Sequence, residues 1–260
     1  MQSQLSIQLA IATFCRLLLK TGRRFLYPFA AVVSGALGVT LVAITMLLAL
    51  NQVAALLAPF FGHLSDRWGY RTMMVGGLAL ASLAMLAVGV LPTYTALMIG
   101  LAAIGLAISV CDPALHAYIG ACVPFAKRGQ TIGLTELAWA GSSLIGIPVA
   151  GWLVESYSWH TPFLVMGILG IGGALLLRRL LPTGVTKASG EVARRLPAPQ
   201  AALRLPTLRG LLVFALLVSC ASDIFFVTYA LWLVDDFQMG IMALGFATVA
   251  IGLAELFGEL

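Results

Sequence analysis

The chain is built of long apolar runs broken by short polar turns. Reading the runs and their breaks predicts spans near residues 14–35, 40–61, 73–91, 95–120, 131–154, 161–180, 210–233 and 240–260. Each is close to the ~20 residues that an α-helix needs to cross a hydrocarbon core of ~30 Å. No run alternates polar and apolar positions as a barrel strand does. The pattern predicts an all-α integral membrane protein whose backbone polar groups are satisfied inside helices.

Two places break the pattern. Arg16, Lys20, Arg23 and Arg24 interrupt the first run, so an apolar window opens only at Phe25. Residues 25–61 number 37, too many for one pass and slightly too few for two passes with a turn. Two passes fit if the first helix starts well before Arg24 and the hairpin falls at 35–38. Arg23 and Arg24 are then predicted within the inner half of the bilayer. The second break is 182–209, with Pro182, Pro197, Pro199 and Pro206, a basic excess and no periodic apolar face. It predicts a cytoplasmic linker between a six-helix bundle, 1–181, and the first two helices of a second bundle, 210–260.

Composition agrees with a lipid solvent. Hydrophobic residues make up 61% and charged residues 10%, against about a quarter charged in soluble domains. The net charge of +5 would suggest nucleic acid in a soluble protein, but here the basic residues mark topology. Arg67 and Arg71, Lys127 and Arg128, and the run from Arg178 to Arg209 occupy every second connection, whereas the others carry Glu155, Asp235 and Asp236. The positive-inside rule then predicts a plasma membrane protein with both chain ends and the linker in the cytoplasm. No charge precedes Arg16, so a cleaved signal peptide is not predicted.

Cys15, Cys111, Cys122 and Cys220 show no paired spacing, and His63, His116 and His160 are dispersed. With no nucleotide-binding loop either, the pattern predicts no metal, no cofactor and no enzyme; a membrane enzyme is the disfavoured alternative.

Ionisable residues within spans cost about 2.5 to 3.5 kcal/mol each on insertion scales and face partners or a wet cavity. Asp112 and His116, four apart, share one face of the fourth helix, and Glu136 lies early in the fifth. With Arg23 and Arg24 they form a candidate network, read either as a gate or proton-coupling site or as a structural ion pair fixing helix register. Asp223 in the seventh helix is a candidate substrate or cation contact. Tyr27 and Trp139 are candidate wall residues, although aromatic side chains also serve packing and interfaces.

The stretch 254–260 weakly repeats 58–64, with Gly258 and Leu260 matching Gly62 and Leu64. A second charged turn is expected to follow, which reads the chain as a fragment. In the first copy Gly62, Leu64, Asp66, Arg67, Gly69 and Arg71 stand in the order glycine, any, leucine, any, aspartate, arginine, any, glycine, any, basic. On that motif, the helix count and the linker, the chain resembles the major facilitator superfamily.

The resemblance implies a secondary active transporter that moves a small solute by alternating access, with protons as coupling ion and the lipid bilayer as surroundings. It implies twelve helices in two halves around a cavity, so an inactive fragment or an assembly partner is the alternative. It makes the motif a latch between halves, and it sets Asp223 opposite Arg23 across them. Gly141, Gly146, Pro148 and Gly151 resemble the family's antiporter element, interrupted by Ile147, and point to efflux; small residues at this spacing also let helices pack closely.

Overall fold

A computed structural model describes residues 2–55, 68–182 and 206–259. The elements are α1 (Gln2–Arg24), α2 (Leu26–Leu37), α3 (Leu41–Ala55), α4 (Tyr70–Val90), α5 (Tyr94–Cys122), α6 (Phe125–Gly141), a π-helical turn (Ser142–Gly146), α7 (Ile147–Ser156), α8 (Thr161–Leu180), α9 (Pro206–Phe237) and α10 (Ile241–Glu259). Among the described residues seven helices are long and apolar enough to cross a membrane, and α3 supplies a shorter apolar pass between the first and the second of them. The chain is thus an all-α membrane protein, a six-helix bundle followed by the first two helices of a second.

The first pass is longer than the 14–35 predicted from its apolar residues, because α1 starts at Gln2. Its polar amino-terminal turns find partners: Gln8 Nε2 donates to the Leu180 carbonyl at 2.7 Å, and Tyr118 Oη donates to Gln8 Oε1 at 2.7 Å. Pro28 lacks the N–H that would bond the Arg24 carbonyl, and the helix breaks at Phe25 before resuming as α2. The hairpin falls where predicted. Gly38 caps α2 with φ +65°, a left-handed conformation that costs glycine little.

Pro148 acts similarly in the fifth pass. It cannot donate to the Leu144 carbonyl, and the turn before it widens into the π-helical segment between α6 and α7. The pass runs from Phe125 to Ser156, longer than the predicted 131–154. The seventh likewise extends to Pro206–Phe237, so residues 206–209 belong to α9 rather than to the predicted linker. Proline is well suited to a first helical position, where no N–H is needed.

The core lies between α1, α4, α5 and α8, with a ring cluster at the α1–α2 break where Phe25 stands 5.1 Å from Phe29 and 4.8 Å from Phe163. The cysteines are free, and Cys15 and Cys111 fit the predicted packing role: a Cβ built on Gly77 would meet Cys111 Sγ at 2.7 Å. Close approach of α4 and α8 depends on missing side chains. A Cβ at Gly167 would lie 2.7 Å from Leu86 Cγ and 3.0 Å from the Leu86 backbone nitrogen, which cannot move aside. Gly167→Val should therefore overpack this interface and cost about 1–3 kcal/mol, seen as a lower thermal unfolding midpoint in detergent. Gly172→Val, at a position with no atom within 4 Å, should leave the midpoint unchanged; equal effects of the two would overturn the packing account.

Candidate functional site

Arg16, Lys20 and Arg24 recur every four residues and so form one stripe along α1. All three are buried. In a medium without water such cations persist only when paired and hydrogen-bonded.

At the lower end of the stripe, Arg16 Nε donates to Asp112 Oδ1 at 2.9 Å and Arg16 Nη1 to Glu136 Oε1 at 2.8 Å. Lys20 Nζ takes the other Asp112 oxygen at 2.8 Å. His116 Nε2 lies 3.3 Å from Glu136 Oε1, one turn along α5 from Asp112. A cavity of about 20 Å³ lined by Cys15, Arg16, Cys111 and Asp112 adjoins this cluster and has room for about one water. Asp112, His116 and Glu136 are therefore brought together as predicted, but their basic partners are not Arg23 and Arg24. Those two lie about one turn further along α1 than Lys20, and Arg16 and Lys20 occupy the place assigned to them.

Arg24 turns instead to the π-helical turn and to α10. Its guanidinium grips Glu255 with two bonds, Nη1 to Oε2 at 3.0 Å and Nη2 to Oε1 at 2.6 Å. Nη1 also donates to Ser143 Oγ at 2.6 Å and, more weakly, to Ser142 Oγ at 3.3 Å. Ser143 Oγ in turn lies 3.0 Å from Glu255 Oε2. The guanidinium carbon stands 4.3 Å from the Trp139 ring centroid and 4.8 Å from that of Phe226. Trp139 also meets Lys20 Nζ at 4.4 Å, and Arg23 reaches the same ring at 6.0 Å. Ser142, Ser143 and Glu255 were not legible as site residues; the signal available was the surplus of cations on the first span, which calls for carboxylates from other spans.

Two turns beyond Lys20 lies the boundary with α9. Tyr27 Oη donates to Asp223 Oδ1 at 3.0 Å, and the Tyr27 and Phe226 rings stand 5.6 Å apart. Two residues assigned separately from sequence thus meet.

Of the glycines near Pro148, Gly141 faces Leu17 and Gly146 faces Thr21 on α1, while Gly151 and Pro148 pack on Gly245 of α10. These residues seat the fifth pass between the two bundles. In the charged turn, Gly62, Leu64, Asp66 and Arg67 lie outside the described residues. Gly69, with φ +84°, precedes the first residue of α4, and Arg71 Nη2 donates to the Arg178 carbonyl at the end of α8. A groove of about 1180 Å³ opens between the amino-terminal half of α1, the end of α5 and the start of α6, lined by Gln8, Phe14, Tyr118, Lys127 and Thr135 among others.

A helical bundle that buries matched charges between its membrane passes and opens a groove beside them has the architecture of a solute carrier. The sequence profile described as Major Facilitator Superfamily matches residues 9–259, and the chain belongs to that superfamily of transporters, which are not enzymes. It is 27% identical over 207 residues to the uncharacterized MFS-type transporter YceJ of Bacillus subtilis, covering 79% of this chain and 53% of that protein. It is 29% identical over 126 residues to the niacin transporter NiaP of Acinetobacter baylyi, covering 48% of this chain and 29% of that one. The fold matches the crystal structure of a bacterial homolog of the human lysosomal transporter Spinster, inward-facing and unoccupied, with a TM-score of 0.79, 17% identity, and 98% of this chain on 60% of that one. The chain thus spans little more than half the length of YceJ.

Asp112 holds Arg16 and Lys20 together, and Asp112→Asn takes away the Lys20 carboxylate and leaves Arg16 with Glu136 alone. The loss should be about 3–5 kcal/mol, the usual effect of breaking a buried pair from one side. The double variant Asp112→Asn with Lys20→Met should lose less than the two single losses added, as measured by a double-mutant cycle on unfolding in detergent. Strict additivity would show that the two side chains do not act as a pair.

Proposed function

We propose that this protein is a secondary active transporter that moves a small amphipathic solute across the cytoplasmic membrane by alternating access. The observation that carries the reading is the meeting of acidic side chains from the two helices after the linker, Asp223 on α9 and Glu255 on α10, with Tyr27 of α2 and Arg24 of α1. Polar contacts of this kind inside a membrane are costly to maintain and mark solute or ion paths. In this reading the halves meet here, residues 1–181 forming one bundle and α9 with α10 the opening helices of the next, joined by a linker that ends before Pro206.

In this reading Asp223, Tyr27 and Trp139 contact the solute or a coupling cation, and protons drive the cycle through the intramembrane carboxylates. The motif from Gly62 to Arg71 latches one access state, which accords with Arg71 tying the start of α4 to the end of α8. Efflux is the proposed direction, supported by the position of Gly141, Gly146, Pro148 and Gly151 against α1 and α10. The printed name of NiaP concerns niacin; at the identity and coverage found, it supports a small-molecule solute without selecting one.

Cells producing the protein should retain less ethidium, fluorescein or salicylate than control cells, and an uncoupler should abolish the difference. Asp223→Asn should slow that export by about tenfold, the effect of weakening one charge-assisted hydrogen bond, at unchanged membrane abundance. Export rates equal to those of the parent would remove Asp223 from the path.

The proposed topology sets Lys127, exposed at the start of α6, in the cytoplasm. A membrane-impermeant amine reagent should modify it in inverted vesicles and not in intact cells. Modification in intact cells would reverse the orientation.

A further inference from the structure

The stripe on α1 is neutralised in two different ways. Arg16 and Lys20 are held by Asp112 and Glu136, carboxylates of helices in the same bundle. The carboxylate on Arg24 comes from α10, beyond the linker. Movement of the second bundle away from the first, as alternating access requires, withdraws Glu255 and leaves a guanidinium without its counter-charge in hydrocarbon.

What Glu255 vacates is a built receptor. The planar fork of Arg24 takes both oxygens of one carboxylate, at 3.0 and 2.6 Å, and Ser143 Oγ stands 3.0 Å from one of them. The Trp139 ring, in the same bundle as Arg24, lies 4.3 Å from the guanidinium carbon, and Phe226 of α9 lies 4.8 Å from it, with Tyr229 6.1 Å from Phe226. Lys20 and Arg23 border the same Trp139 ring and add cationic groups beside the fork. We infer that Arg24, Ser143 and Trp139 form the binding site for an amphipathic organic carboxylate, and that the Glu255 side chain is its internal competitor. The inference rests on the transport reading above and names the solute class for the same boundary.

A solute carboxylate that replaces Glu255 keeps Arg24 paired while the bundles separate, and an apolar body fills the aromatic wall. An uncharged analogue leaves Arg24 unpaired. Site occupancy is then a competition between two carboxylates, one tethered and one free, and the tethered one lowers the apparent affinity by the fraction of time it fills the site.

The test is calorimetric titration of the full chain in nanodiscs with benzoate and with benzamide, which keeps the ring and lacks the charge. Benzoate should bind in preference to benzamide. Glu255→Gln, which removes the competing charge, should tighten benzoate at least about tenfold. Glu255→Asp keeps the charge with a shorter reach and should give an intermediate gain, so it decides the matter if the glutamine variant fails to fold. Equal binding of the two probes, no binding of either, or benzoate affinity unchanged by both substitutions would overturn the assignment. Ethidium export that persists alongside such a result would leave the transporter reading standing, whereas benzoate binding without export of any solute would overturn export alone.

Discussion

A helix that carries Arg16, Lys20, Arg23 and Arg24 into hydrocarbon cannot stand there alone, and much of the bundle's arrangement answers that constraint. Four carboxylates from other passes meet the first pass: Asp112, Glu136, Asp223 and Glu255. Each comes from a different pass. Fixing three of them to Arg16, Lys20, Arg24 and the fourth to Tyr27 sets the depth and rotation of α5, α6, α9 and α10 relative to α1. Apolar packing in a bilayer has little hydrophobic drive to choose among registers, since lipid is as apolar as leucine. Buried ion pairs add little net stability for their desolvation, but they penalise wrong registers heavily.

The backbone irregularities serve the same end. Pro28 interrupts the first pass directly after Arg24, and Pro148 widens the fifth into a π-helical turn opposite it. The widened turn turns Ser142 and Ser143 toward the guanidinium, while Gly146 admits Thr21 and Gly151 admits α10. Polar hydroxyls, small residues and two prolines therefore converge on one level of the membrane. Irregular helical geometry is tolerated at that depth because protein, not lipid, surrounds it.

Hydrophobic runs carried most of the fold. They located the passes and the Gly38 hairpin, because length and apolarity alone decide whether a helix can cross. They shortened α1, α6 and α9 because helices continue past the apolar slab wherever polar residues find water or partners, as Gln8 does with Leu180. The candidate site was half legible. Spacing within one helix shows that Asp112 and His116 share a face, and that Arg16, Lys20 and Arg24 do too. Which cation meets which acid depends on the relative heights of two helices, and a shift of one turn exchanges Arg24 for Lys20. Glu255 escaped notice for another reason: it sits near a helix end, where a glutamate ordinarily needs no partner.

The division of the α1 stripe has a consequence for how the molecule works as a machine. Arg16 and Lys20 are bound to acids that move with α1, so their pairing survives any rigid rotation of the first bundle and anchors its register. Arg24, and Tyr27 on α2, are bound to acids on α10 and α9, so theirs are the pairings that relative motion can break. Breaking a buried ion pair from one side is expensive, and in the proposed cycle that expense acts as a gate against separation in the absence of a replacement partner. Under the same proposal, a solute that supplies the missing charge lowers the barrier for its own passage. Selectivity and coupling of motion to binding would then rest on a single electrostatic requirement, that no arginine remain alone in the membrane interior.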